Sequence, residues 1–306
     1  MSDAAVPVAA GASERRAGFI AAASAYLMWG FLPLYLKLAA FADVREVLGQ
    51  RILWAIPAAF VAIFAMSGLR AGLRELGTAL RPRMLGTLAV SAVFIFLNWG
   101  LYVWLVLQNR VIEAALAYFL SPLVSVAMGV LFNGERVGAV QFWALALAGA
   151  GVVVQGAALG APPWMALALC GSWSVYALIR KRAPVPAATG LFIECVAMAP
   201  IAAGLVFWAA SEAPLAFGAD VGRSLILALA GPVTALPLMA FTFGARRVSF
   251  TTLGLLQFLA PTLQFITGIM SGEPFTPLRG VSFVLIWAGL AVFSWDTLRR
   301  GDHKQA

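Results

Sequence analysis

Two charged residues sit where an apolar chain should hold none. Arg51 lies within the apolar stretch Val47–Met66, and Glu194 within Ala187–Trp208. Each is roughly 10 Å in from the end of its span, at about 1.5 Å per residue. An ionisable group inside a membrane-length apolar run is a functional-site hypothesis by default. Arginine has a bland alternative, since its long stem can snorkel to the headgroups. Gln50 beside Arg51 adds polarity that snorkelling does not need. Glutamate has a short stem, so a buried Glu194 must be protonated, paired or wetted by a cavity. These chemistries suggest a proton-binding role for Glu194 and anion binding for Arg51. Whether the two touch does not follow from their positions.

Weaker candidates surround them. Lys37 ends the first apolar stretch and suits an anion contact at a cavity mouth; the alternative is snorkelling. Asn98, Tyr102, Tyr118, Gln257 and Gln264 are polar groups inside apolar runs. In lipid such groups need partners, so they either join helices or line a cavity. Trp29 and Trp173 fall in mid-span rather than in the interfacial belts where Trp is enriched. They suit the walls of a site for an amphipathic ligand, or core packing. Glu135 and Glu273 each follow a glycine at the end of a span, as markers of the water boundary or as gate contacts. Lys181, inside Arg180-Lys181-Arg182, reads as a loop charge.

Other chemistry is excluded. There is no GxxxxGK[ST] phosphate loop, no HExxH and no credible GxSxG elbow. One histidine, His303 in the C-terminal tail, and two cysteines make no familiar zinc site. Cys170 and Cys195 lie in different apolar stretches, so no disulfide is expected. The reading is a non-enzyme with no catalytic residue, no metal and no cofactor.

The elements that position these residues follow from composition. The chain is 62% hydrophobic and 11% charged, with a mean hydropathy of +0.91. Soluble domains carry about 25% charged residues, so this is an all-α polytopic membrane protein. About 20 apolar residues cross the hydrocarbon core, and ten such runs are visible. They are Ala17–Ala39, Val47–Met66, Met84–Leu107, Ile112–Leu131, Ala139–Ala158, Trp164–Leu178, Ala187–Trp208, Ser224–Phe243, Thr251–Met270 and Leu278–Trp295. The longest polar connection, Ser67–Arg83, has room for a short amphipathic turn. Basic residues crowd alternate connections: with the N-terminus inside, 15 Lys and Arg fall on the cytoplasmic side and four outside. Both termini are therefore expected in the cytoplasm. The same bias explains the net charge of +8 without nucleic acid.

The chain also repeats itself. Val111–Val137 returns as Val248–Pro274, with Pro122 on Pro261 and Tyr118 on Gln257. The match extends to Trp29 on Trp173, Lys37 on Lys181, and Arg51 on Glu194. The halves are residues 17–158 and 164–295, flanked by tails 1–16 and 296–306. Five spans is an odd number, so the second half must enter the membrane upside down. Inverted repeats are the architecture of secondary transporters, with the site between the halves. Paired prolines within spans suit a rocking motion. The small-residue runs Ala146–Gly151 and Trp287–Gly289 suit close packing of the fifth and tenth spans.

WG-x6-K in the first span, the paired halves and the GE after the fourth span resemble the EamA-like drug/metabolite transporter superfamily. Gln50–Trp54, Asn98–Trp104, Ala117–Arg136 and Gly190–Pro200 resemble its RarD-type branch. The resemblance implies a bacterial inner-membrane, multi-pass permease, with the fifth and tenth spans as a scaffold or homodimer pair. The partners expected are a small-molecule substrate and the lipid bilayer. The expected function is alternating-access transport of a metabolite or drug, proton-coupled or by exchange. A non-transporting scaffold or receptor on the same fold is the alternative.

Overall fold

The computed structural model describes residues 12–133, 138–248 and 250–302. The expectations for Glu135 and His303 fall outside them. The elements are α1 (Ala12–Leu38), α2 (Val44–Ala79), α3 (Pro82–Leu107), α4 (Val111–Asn133), α5 (Ala139–Leu159), α6 (Trp164–Arg182), α7 (Ala187–Glu212), α8 (Val221–Ala245), α9 (Phe250–Leu256), α10 (Leu259–Met270) and α11 (Pro277–Asp302). Among the described residues there is no strand, only an isolated bridge between Phe217 and Asp220. Helix is what hydrocarbon demands, because it satisfies each backbone group within its own segment. Among the described residues, eight helical segments are long and apolar enough to cross a membrane.

Helix ends follow local chemistry. The Asp43 carboxylate accepts from the Arg45 amide at the start of α2, and Asp220 does the same for Arg223 at the start of α8. Pro82 opens α3, where its missing N–H costs nothing.

Two elements depart from the sequence expectation. The connection read as a short turn is helical. Gly68, at φ 74°, breaks α2, and residues 69–79 resume as three further turns. That backbone angle favours glycine, so the break is encoded at one residue. The ninth apolar stretch is likewise two pieces, α9 and α10, parted at Gln257–Phe258. Pro261 explains the place: it has no N–H for the Gln257 carbonyl four residues back, and its ring crowds that carbonyl. Its counterpart Pro122 sits inside an unbroken α4.

Packing places α2 against α7 and α8, and α3 against α6 and α7. α1 lies on α8 and α10, α4 on α6 and α10, and α5 on α11. The α5–α11 pair brings its small-residue runs together, with the Ser282 hydroxyl donating to the Gly151 carbonyl at 2.8 Å. The main core is built largely from Ala, Leu, Ile and Val of these helices. Large apolar groups remain outside, with Phe207 77% and Met270 81% exposed, as lipid-facing helices require. Cys170 and Cys195 are both buried and free.

Candidate functional site

Arg51 projects from α2 into the interior and is buried. Its Nε donates to Thr234 Oγ1 on α8 at 3.1 Å, while the Thr234 hydroxyl donates to the Ala230 carbonyl. The guanidinium lies over the Trp99 ring of α3, 4.5 Å from its centroid. This placement excludes snorkelling. Stacking on indole partly replaces lost water around a cation, yet Arg51 Nη1 is buried without a hydrogen-bond partner. Gln50, beside it, accepts from the Trp54 indole N–H.

From Trp99 an aromatic column leads away. Tyr102, one turn further along α3, is buried and its hydroxyl also has no partner. Its ring meets Tyr118 of α4 at 5.7 Å, Tyr118 meets Trp173 of α6 at 6.3 Å, and Trp173 meets Tyr176 at 5.7 Å. The first two contacts are edge-on, a favoured aromatic geometry. Asn98 ties the column together. It accepts from the Tyr118 hydroxyl at 3.3 Å and donates to the Leu169 carbonyl at 2.9 Å and to Ser172 at 3.3 Å. The column ends where the Tyr176 hydroxyl donates to Glu194 Oε2 at 3.3 Å.

Glu194 is fully buried on α7. Ser91 of α3 donates to its Oε1 at 2.5 Å, and Arg180 Nε of α6 lies 3.6 Å from the same oxygen. Arg180 also donates to the Pro186 carbonyl, and its guanidinium rests against Gly190, one turn before Glu194. Its Nη1 has no partner. A buried charge needs such company, since removing one partner leaves the other uncompensated. None of the hydrogen bonds or ion pairs joins Arg51 directly to Glu194; the aromatic column separates them.

The remaining candidates divide. Trp173, Asn98, Tyr102 and Tyr118 belong to the column. Trp29 does not: it packs with Tyr26 and Phe241 between α1 and α8, at 5.5 and 5.7 Å. Gln264 of α10 joins this second cluster, donating to the Trp29 carbonyl at 3.1 Å, with its Oε1 buried and unpartnered. Among the described residues, the side chains of Lys37 and Gln257 make no hydrogen bond or ion pair. Glu273 is no mere boundary marker. It is buried and accepts from the Val111 and Ile112 amides at 2.7 and 2.9 Å, capping α4 from the end of α10.

Sequence reasoning missed Arg180, Ser91, Tyr176, Trp99 and Thr234. Arg180 was hidden in a basic triplet that reads as a loop. Ser91 and Trp99 had a usable signal: Ser91 lies two turns before Asn98, and Trp99 lies one turn before Tyr102, at helical spacing from residues already singled out.

Comparison with known proteins agrees with this architecture. Residues 16–156 match the EamA-like transporter family. Protein RarD of Streptomyces exfoliatus is 39% identical over 297 residues, covering 96% of this chain and 93% of that protein. Protein RarD of Escherichia coli K12 is 37% identical over 289 residues, covering 94% and 97%. An uncharacterized transporter of Vibrio cholerae is 36% identical, covering 94% and 95%. A solved crystal structure shares the fold with a TM-score of 0.59 at 20% identity, covering 91% of this chain and 97% of its own. The chain belongs to the EamA-like drug/metabolite transporter superfamily, in its RarD-type branch. It is a multi-pass integral membrane transporter rather than an enzyme.

Proposed function

We propose that this chain is a secondary active transporter that moves a small organic metabolite or drug carrying an anionic group. It works by alternating access across the bacterial inner membrane. The observation that carries the reading is the aromatic column of Tyr102, Tyr118, Trp173 and Tyr176, which runs inside the molecule from Arg51 to Glu194. A buried guanidinium with an unpartnered Nη1, together with the buried and unpartnered Tyr102 hydroxyl, suits a substrate carboxylate or similar anion. The aromatic faces suit its apolar body. Glu194, held by Ser91, Tyr176 and Arg180, is the group that takes up the coupling proton. Arg180 would then lose its counter-charge, so protonation and helix movement are coupled. Exchange of two anions at Arg51 is the other way to drive the same cycle.

We further infer ten spans arranged as two inverted five-helix repeats with both termini cytoplasmic. Helix pairing supports this. Exchanging each first-half helix for its second-half counterpart turns α2–α8 into α7–α3, α1–α8 into α6–α3, and α1–α10 into α6–α4. A non-transporting scaffold would pair its buried polar atoms throughout. The unpartnered atoms of Arg51, Tyr102, Arg180 and Gln264 speak against it.

The test is uptake and efflux in proteoliposomes with a panel of anionic and neutral metabolites and drugs. Wild type is compared with Glu194→Gln and Arg51→Ala. Discrimination for anions should vanish in Arg51→Ala, and a pH gradient should no longer drive Glu194→Gln. Full pH-driven transport by Glu194→Gln would remove the proton assignment.

A further inference from the structure

Away from the central column, a groove of about 740 Å³ opens between the start of α3 and the end of α6. Its two ends differ in chemistry. One end carries three arginines from separate segments: Arg81 from the α2–α3 connection, Arg83 from the first turn of α3, and Arg182 from the last turn of α6. Further along, the lining is largely apolar, with Met84 and Val90 of α3 and Leu178 and Ile179 of α6, and Thr87 among them. Val90 is 52% exposed, so the apolar end opens sideways where lipid must lie.

Three observations make the basic end an anion site. Arg81 and Arg83 are exposed and have no hydrogen bond or ion pair from their side chains among the described residues. The nearby carboxylate of Glu75 is already engaged by Ser67 and Thr189, at 2.7 and 2.8 Å. The α3 N-terminus has no side-chain cap, so the amides that follow Pro82, which has none, and the positive end of its dipole add to the field. The neighbouring turns, residues 69–79, set the level of this end. Leu69 and Leu73 are 67% and 56% exposed beside the exposed Arg70 and Arg74. Exposed leucines interleaved with arginines are what a helix lying in the headgroup layer presents.

We propose that this groove binds an anionic phospholipid, with the phosphate among Arg81, Arg83 and Arg182 and an acyl chain running down the α3–α6 seam past Val90 and Leu178. A soluble anion would have no use for the apolar end, and a zwitterionic lipid would bring its own cation to the arginines. The site is independent of the transport reading. Its position is telling because α3 and α6 also carry Ser91, Asn98, Trp173, Tyr176 and Arg180 of the column.

The test uses the full-length protein in a mild detergent, measured by native mass spectrometry during titration with phosphatidylglycerol or phosphatidylcholine. Phosphatidylglycerol adducts should outlast phosphatidylcholine adducts. Their affinity should fall about fivefold for each arginine removed in Arg81→Gln and Arg81→Gln/Arg83→Gln. Arg81→Lys/Arg83→Lys should retain the preference, which separates charge from misfolding. Arg246→Gln/Arg247→Gln, equal in charge change but outside the groove, should leave it intact. Equal retention of both lipids, an equal fall in the Arg246 and Arg247 control, or displacement by millimolar inorganic phosphate would each overturn the proposal.

Discussion

Arg51 and Glu194 are opposite charges that fall on one another in the internal sequence match, and they have found opposite solutions to burial. Glu194 is answered by a hydroxyl on either side and a guanidinium 3.6 Å away. Arg51 has one hydroxyl and an indole face, and keeps one nitrogen unanswered. The protein answers the first fully and leaves part of the second unanswered, which is what the proposed anion site at Arg51 requires. Arg51→Lys should therefore weaken binding of an anionic substrate by about 2 kcal/mol, since a lysine offers neither the stacked plane nor the second nitrogen. Substrate titration of the purified variant checks this, and an unchanged affinity would place the anion elsewhere. Arg180→Ala should cost about 3–5 kcal/mol of stability by leaving buried Glu194 without its counter-charge. The double variant Arg180→Ala/Glu194→Gln should recover part of it in thermal unfolding. Glu194 could be found from sequence because a carboxylate in an apolar run is conspicuous. Its partner could not: Arg180, Lys181 and Arg182 step round the helix by about 100° each. Only packing against α7 decides which one turns inward.

At the scale of elements, Glu273 ties α10 to the first two amides of α4. The approach is close: a side-chain carbon on Gly268 would stand 2.6 Å from Ile112 Cγ1. Glycine there is a condition for the cap, not an accident of composition. Glu273→Ala should cost about 1–2 kcal/mol, in the range of lost helix caps. Hydrogen exchange at the Val111 and Ile112 amides should accelerate while α7 keeps its protection. Unchanged exchange would mean that the cap bears no load. The broken ninth span shows the limit of reading proline from sequence. Pro122 and Pro261 occupy matching places, yet only Pro261 parts its helix. Proline removes one bond in either case, and the neighbouring helices decide whether the segment stays continuous.

At the scale of the whole molecule, the all-helical membrane class was legible because apolar length is a property of long runs. Interior architecture was less so. Trp29 and Trp173 fall on one another in the internal sequence match, yet they stand in separate clusters, because the column forms against α3 and α4 while Trp29 meets α8. If the halves are inverted, a reporter fused at Gly160, between α5 and α6, should be accessible from outside the cell. A cytoplasmic reading there would remove the inversion and with it the proposed cycle.

One helix bears on how the molecule is made. α6 is not among the eight segments apolar enough to cross unaided, and its last turn carries Arg180, Lys181 and Arg182. Its neighbours are α3 and α4, which leave the ribosome before it, and Asn98 of α3 already offers hydrogen bonds to Leu169 and Ser172. If α6 lies in the membrane, as the ten-span reading requires, its residence there is expected to depend on its predecessors rather than on its own partitioning. Synthesised alone behind a translocation reporter, α6 should largely fail to integrate. Within a nascent chain that includes α3 and α4 it should be retained, and Asn98→Leu should lower that fraction. The residues that line the column would then also be the ones that recruit its last wall during biogenesis.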